Sequence, residues 1–420
     1  MEDERNLLVG FDLCDDFSQV SCIYKNEVEP ESVCITPDQS KFLIPTAVCV
    51  REMTKEWVIG EEAERCRDRM AGVYVDKLLS KLVNHETVEI YGSVFEPELL
   101  LEKYFRKVFG IIRQRYQNNS IRQLVLTLRS FDAQTEERLY GILLALGIDR
   151  DRVKIIRHTE SFMYYVVSQP RDVWVNDVAL FDYGVDGLRY CHLTFGRKGT
   201  PCAVVADCID LSEELSFKML SELSAERLAH AFESIANLTL HKKIITSLFV
   251  TGRGFEGEWA NDVLRRLCMG RRVFLGQNLY TKGACYAARA LTMNRLTEYQ
   301  FLTEDCIKAS VSLRVYHDAQ AYQLQLAGAG DCWKTAKAGC TLILDQCNEL
   351  EFAVCDAVRK DTMLEIMSLD GPVRKERRTT RLQLSLHFIS RDMAVVKLKD
   401  IGFGEFYKTN YRVWEQVLKL

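Results

Sequence analysis

The chain has 420 residues, 47% of them hydrophobic and 27% charged, with a formal net charge of −4 and a pI near 6.1. That is enough chain for two or three domains with real cores, and the slight acidity offers no general attraction to nucleic acid or to an anionic membrane. No apolar run approaches the ~20 residues that span a bilayer, and the charged stretch Met1 to Arg5 leads straight into a strand rather than reading as a signal peptide. A cytoplasmic protein with neither nucleic-acid nor membrane partners is therefore expected. Fifteen cysteines occur without a single Cys-x-x-Cys pair. Most sit in apolar segments, as Cys49, Cys191, Cys285 and Cys355 do, which predicts reduced thiols packed as small hydrophobes. His230 and His241 fall in a helical stretch without a ligand-like partner.

Leu7 to Asp12 is an apolar run ending in a carboxylate, followed by the turn Cys14-Asp15-Asp16 and an alternating strand over Gln19 to Tyr24. Further strands are predicted around Lys41 to Val50, interrupted by Pro45, and at Trp57 to Gly60. Glu61 to Met70 begins as a helix, and Leu100, Leu101, Tyr104, Phe105, Val108, Phe109 and Ile112 recur with a 3.6-residue period, which predicts a long amphipathic helix over 97–116. Gln123 to Leu128, Asp132 to Leu146 and Val153 to Ile156 then read as strand, helix and strand, the alternation of a mixed or parallel α/β sheet. Phe162, Tyr164 and Tyr165 read as core.

A second hairpin is predicted over 178–195, with Asp182 ending its first strand and Gly184-Val185-Asp186-Gly187 at its tip. Leu211 to Lys242 reads as one or two helices, Ser247 to Gly252 as a strand, and Glu258 to Leu267 and Thr281 to Leu291 as helices. Beyond residue 300 the segments 308–328, 340–369 and 380–400 alternate with a period of two, the mark of an antiparallel β domain. Within it, Leu382, Leu384, Leu386 and Phe388 should be buried, and Arg381, Gln383, Ser385 and His387 should face outward. The basic stretch Arg374 to Arg378 reads as a solvated hairpin loop.

Several of these pieces, in this order, resemble the DnaK-type heat-shock chaperones of the actin-like ATPase superfamily. Gly10-Phe11-Asp12-Leu13 matches the first phosphate motif without a gap. Phe42 to Val48 with Val58 to Ala63 is similar to the early Pro-Ser and Val-Gly-x-x-Ala stretch, and residues 181–184 resemble the second phosphate motif. Val250-Thr251-Gly252-Arg253-Gly254 stands where the family's adenosine-contacting glycines fall, Gly283-Ala284 follows in place, and Thr380 to Phe388 resembles strands of the peptide-binding domain. The resemblance implies an α/β, two-lobed actin-like ATPase fold with mixed sheets: lobe I over 1–170, a shortened lobe II over 171–300, then a C-terminal antiparallel β-sandwich over 301–420. It implies ATP and Mg²⁺ as cofactors, with Asp12, Asp182, Gly184, Gly252, Gly254 and Gly283 at the site and Asp12 and Asp182 toward the metal through water.

The chain departs from that pattern where phosphate would bind. Cys14-Asp15-Asp16 replaces a glycine and two threonines, and carboxylates there would repel a polyphosphate. Val185-Asp186 replaces two glycines whose amides would approach the phosphates. The segment between Asp182 and Val250 is too short for the adenine clamp, the γ-phosphate lysine has no firm match (Lys77 is a neighbour, offset by one), and no helical lid is expected after the β domain. No Ser/His/Asp or Cys/His arrangement suggests a nucleophile, and no catalytic residue is assigned. The expectation is a non-enzymatic chaperone-like or scaffold protein with weak or lost ATP binding and a protein or polypeptide partner. The alternative is a slow ATPase that couples ATP binding and hydrolysis to polypeptide binding.

Overall fold

The computed structural model describes residues 7–24, 27–34, 42–117, 120–317, 320–345, 348–370 and 378–420. The basic stretch expected at Arg374 lies outside them up to Arg377. The protein is mixed α/β with several sheets. Its chain divides into two compact units: Met1–Cys191 with Ile209–Leu296, and His192–Cys208 with Thr297–Leu420.

The first unit is built on two mixed sheets of matching design. In one, strand Leu7–Asp12 lies between its hairpin partner Phe17–Tyr24 and the strand Ile121–Leu128, with Val153–Arg157 beyond. The hairpin is antiparallel, and the pairings to Ile121–Leu128 and Val153–Arg157 are parallel. In the other, Asp177–Gly184 lies between its hairpin partner Gly187–Phe195 and the parallel strand Ile245–Thr251, with Arg272–Leu275 beyond. Asp12 sits beside Thr127 and Asp182 beside Thr251. Each carboxylate therefore marks the C-terminal end of a central parallel strand, where open α/β sheets present their ligand sites.

Leu7 to Phe11 reads as an unbroken apolar run because both faces of that strand are covered. Leu7, Val9 and Phe11 join the core beneath helix Pro97–Arg115, where the Phe11 ring meets Phe105 edge-on at 5.1 Å. Leu8 points the other way, into a cluster with Ala284, Cys285 and Ala288 of helix Leu279–Met293. Phe162 is fully buried, and Tyr164 and Tyr165 are half-buried. Helix Ala133–Ala145 begins where expected because the Asp132 carboxylate accepts the Thr135 amide at 2.8 Å. Strands Gly72–Val75, Val88–Ile90 and Ser93–Phe95 and helix Leu78–Asn84 were not predicted, because each is too short to show a period.

In the second unit, two four-stranded antiparallel sheets share one apolar core. The strand Thr380–Ser390 supplies Leu382, Leu384, Leu386 and Phe388 to it, while Gln383, Ser385 and His387 are exposed and Arg381 is half-buried. A strand missed in the sequence, Val413–Lys419, pairs with Met393–Asp400. One expectation is corrected: Cys191 and Cys208 are disulfide-bonded, whereas the other described cysteines are free. Bond formation depends on which strands become neighbours, which cysteine spacing does not reveal.

The alternation in Thr380–Ser390 sets a test. Leu384→Ala should cost about 2–5 kcal/mol through the cavity it leaves, and Gln383→Ala should stay within about 0.5 kcal/mol, both read by denaturant unfolding. Equal losses would remove the assigned register.

Candidate functional site

Two glycine contacts set the geometry of the first unit. A Cβ at Gly10 would lie 2.2 Å from the Thr281 carbonyl oxygen and 2.5 Å from the Cys285 nitrogen, so helix Leu279–Met293 can rest on strand Leu7–Asp12 only over a glycine. The Thr281 hydroxyl donates to the Gly10 carbonyl (2.9 Å), the Gly10 amide donates to Cys285 Sγ (3.1 Å), and that thiol donates to the Ser21 carbonyl (2.9 Å). On the helix's other side a Cβ at Gly283 would lie 2.1 Å from the Ser161 carbonyl oxygen. The Ser161 hydroxyl there donates to the Tyr280 carbonyl at 2.5 Å. The helix is thus wedged between the strand and helix His158–Val167. His158 and Tyr280, in the first turns of the two helices, stack with ring centroids 3.9 Å apart.

The stack joins the two hairpins. His158 Nε2 is hydrogen-bonded to Asp12 Oδ1 at 2.7 Å, and the Tyr280 hydroxyl donates to Asp182 Oδ2 at 2.9 Å. Asp12 is 7% exposed, His158 3%, Tyr280 7% and Asp182 7%. The Nδ1 of His158 is buried without a hydrogen-bond partner. Two arginine pairs flank the stack reciprocally. Arg253, from the second sheet, pairs with Asp16 of the first hairpin at 3.2 Å and lies over the Phe17 ring. Arg129, from the first sheet, pairs with Asp186 of the second hairpin at 3.7 Å. The third turn acid, Asp15, accepts from the Ser80 amide at 2.8 Å and from the Ser80 hydroxyl.

These groups leave a cleft of about 90 Å³, far below the ~300–1,000 Å³ of typical ligand pockets. Burial raises the Asp182 carboxyl above its usual range, against the pull of Arg129, His158 and the Tyr280 hydrogen bond. Burial and the charges of Asp12, Asp16 and Asp182 push the Cys14 thiol well up, and burial with the Asp182 charge does the same to Tyr280. Among the described residues, Asp12, Cys14 and His158 form a group whose ligand atoms lie within 4.8 Å of one another, a spacing that could hold a metal ion.

Of the residues expected at the site, Asp12, Asp182, Gly184 and Gly252 line this cleft, and Gly254 and Gly283 do not; Lys77 does not line it either. Gly252 has φ +97°, and a Cβ there would lie 2.5 Å from the Tyr183 carbonyl oxygen. Gly254 is pressed against the Tyr183 ring and Gly283 against Ser161, so contact with protein accounts for both. Lys77 stands at the N-cap position of helix Leu78–Asn84, without a side-chain cap bond. Val185 lines the cleft and is 39% exposed. Sequence reading missed His158, Arg129, Arg253 and Tyr280. The first three follow soon after the C-terminal ends of parallel strands, at Arg157, Leu128 and Thr251, and that position is a signal in itself. Tyr280 carries no such mark.

Residues 29–304 match the C-terminal part of a family of unknown function (DUF5716), and residues 306–420 match a domain of unknown function (DUF8552). The first match covers more than half of the chain, and the protein belongs to the DUF5716 family. No curated protein matches the chain.

Burial of Asp182 gives a pH prediction. A carboxyl that holds its proton to higher pH when folded than when unfolded favours the fold below its unfolded pKa, and that contribution is lost as pH rises through the folded value. Asp182→Asn should therefore gain stability relative to the parent protein as pH rises above the ordinary carboxylate value of about 4, read as the difference in Tm. A difference that shrinks over the same range would mean the charged form is the favoured one.

Proposed function

We propose that the protein is a non-enzymatic scaffold or chaperone-like protein, a divergent member of the actin-like ATPase superfamily whose nucleotide cleft is closed by its own side chains. The DnaK-like motifs and the two sheets of matching strand order, each offering a hairpin carboxylate at the same place, support the superfamily reading. The bridge Asp12–His158–Tyr280–Asp182 carries the functional one. The two carboxylates that would hold hydrated Mg²⁺ are already hydrogen-bonded to protein, and two aromatic rings stand between them. Mg²⁺-ATP does not suit these residues: the cleft is small, Val185 and Asp186 replace the phosphate-facing glycines, and Arg129 and Arg253 are engaged by carboxylates.

The C-terminal sheets support a polypeptide partner. Strand Thr362–Ser368 is an edge strand of its sheet and exposes Met363, Leu364 and Ile366, which suits pairing with an extended segment. No helix among the described residues is long and apolar enough to cross a membrane.

Calorimetry of the purified full chain with ATP and Mg²⁺ tests the reading, and no binding heat is expected. A micromolar Kd would overturn it in favour of the slow ATPase. Replacing Asp15 and Asp16 with threonine should not restore binding, because Asp15 is held by Ser80 and the ring stack remains. Recovery by that double substitution would show that turn charge, not the stack, excludes the nucleotide.

A further inference from the structure

We propose that Asp12, Cys14 and His158 form a binding site for a borderline-soft divalent metal of the zinc class. The inference goes beyond the proposed function and does not require it, since a closed nucleotide cleft and a metal site are separate properties of the same residues. The three donors come from three places: the end of strand Leu7–Asp12, the hairpin turn, and the first residue of helix His158–Val167. Their ligand atoms lie within 4.8 Å of one another. A thiol, an imidazole and a carboxylate together suit zinc or cobalt rather than Mg²⁺ or Ca²⁺, which take oxygen ligands.

Two of the three separations are close to what such an ion requires, and the third, Cys14 Sγ to the imidazole, lies within 4.8 Å and would close on binding. Zinc bonds of about 2.0–2.3 Å at tetrahedral angles put ligand atoms roughly 3.3–3.7 Å apart. Cys14 Sγ already stands 3.6 Å from Asp12 Oδ1. His158 Nε2, at 2.7 Å from the same oxygen, would have to withdraw by about half an ångström. Three protein ligands leave a fourth position for water, the open arrangement of non-structural zinc sites. The surroundings favour a cation as well. Asp12, Asp16, Asp182 and Asp186 all line the cleft, against the two guanidinium groups of Arg129 and Arg253.

The full chain, stripped of metal with a chelator, should be titrated with Co²⁺. The expected result is a near-ultraviolet thiolate-to-cobalt absorption that saturates at one equivalent and is displaced by Zn²⁺. Cys14→Ser should abolish the band, His158→Ala should weaken binding at least about tenfold, and substitution of the exposed Cys268 should leave it unchanged. Should Cys14→Ser fail to fold, the parent protein still decides: Zn²⁺ should protect Cys14 from alkylation, mapped by mass spectrometry. No band, a band that survives Cys14→Ser, or alkylation of Cys14 unaffected by Zn²⁺ would each overturn the proposal. ATP calorimetry reads a different property, so failure here and failure of the closed-cleft reading are distinguishable.

Discussion

The site depends on how closely helix Leu279–Met293 approaches the first sheet. At Gly10 the strand backbone meets helix backbone with no room for a Cβ, and at Gly283 the helix meets the Ser161 backbone with equally little. Interiors are packed at crystal-like density, so an added methyl at either glycine would have to displace backbone rather than a yielding side-chain end. This double contact puts the first turns of two helices side by side, and their first-turn aromatics, His158 and Tyr280, stack as a consequence. Each ring then reaches one hairpin carboxylate. The glycines lie outside the chemistry but determine where it can occur.

The same contact changes the meaning of the acidic turns. Read as a string, Cys14-Asp15-Asp16 and Val185-Asp186 look like phosphate loops spoiled by negative charge. In the fold, each acid is engaged. Asp15 is taken by Ser80, Asp16 by Arg253, and Asp186 by Arg129. The arginine pairs are partly exposed and contribute about 0–1 kcal/mol apiece. The buried carboxyl groups matter more, because a buried polar group deprived of its hydrogen-bond partner costs about 1–3 kcal/mol, and more when charged. Asp12 and Asp182 are therefore held mainly by the stack between them, and the arginine pairs chiefly fix which hairpin faces which.

Much of the fold was legible because its elements are long and periodic. The helix Pro97–Arg115 showed its 3.6-residue stripe, and the strand Thr380–Ser390 showed its period of two with Leu382, Leu384 and Leu386 inward. The carboxylates Asp12 and Asp182 stood out as the last residues of buried runs. The glycines were noticed, but Gly254 and Gly283 were assigned to a ligand, because a sequence does not say whether a glycine admits a cofactor or another piece of the same chain. Tyr280 could not be found, since its role depends on a contact between segments 271 residues apart, as the Thr281–Gly10 bond shows. The disulfide-bonded Cys191 and Cys208 escaped for a similar reason: partnership is set by tertiary neighbours, not by spacing.

A cleft closed in this way behaves differently from one that a ligand closes. Opening it would separate His158 from Asp12 or Tyr280 from Asp182, leaving a buried carboxylate short of a partner, and would also break the pairs that Arg253 and Arg129 make across the hairpins. A ligand shifts such an equilibrium only by its differential affinity for the open form. A nucleotide would have to offset all of these losses with contacts of its own. A single small cation asks for much less. It would displace to solvent the proton between His158 and Asp12 and the thiol proton of Cys14, with Cys14 and the imidazole drawn together around the ion. On physical grounds the side chains packed across this cleft are compatible with a metal ion held among them.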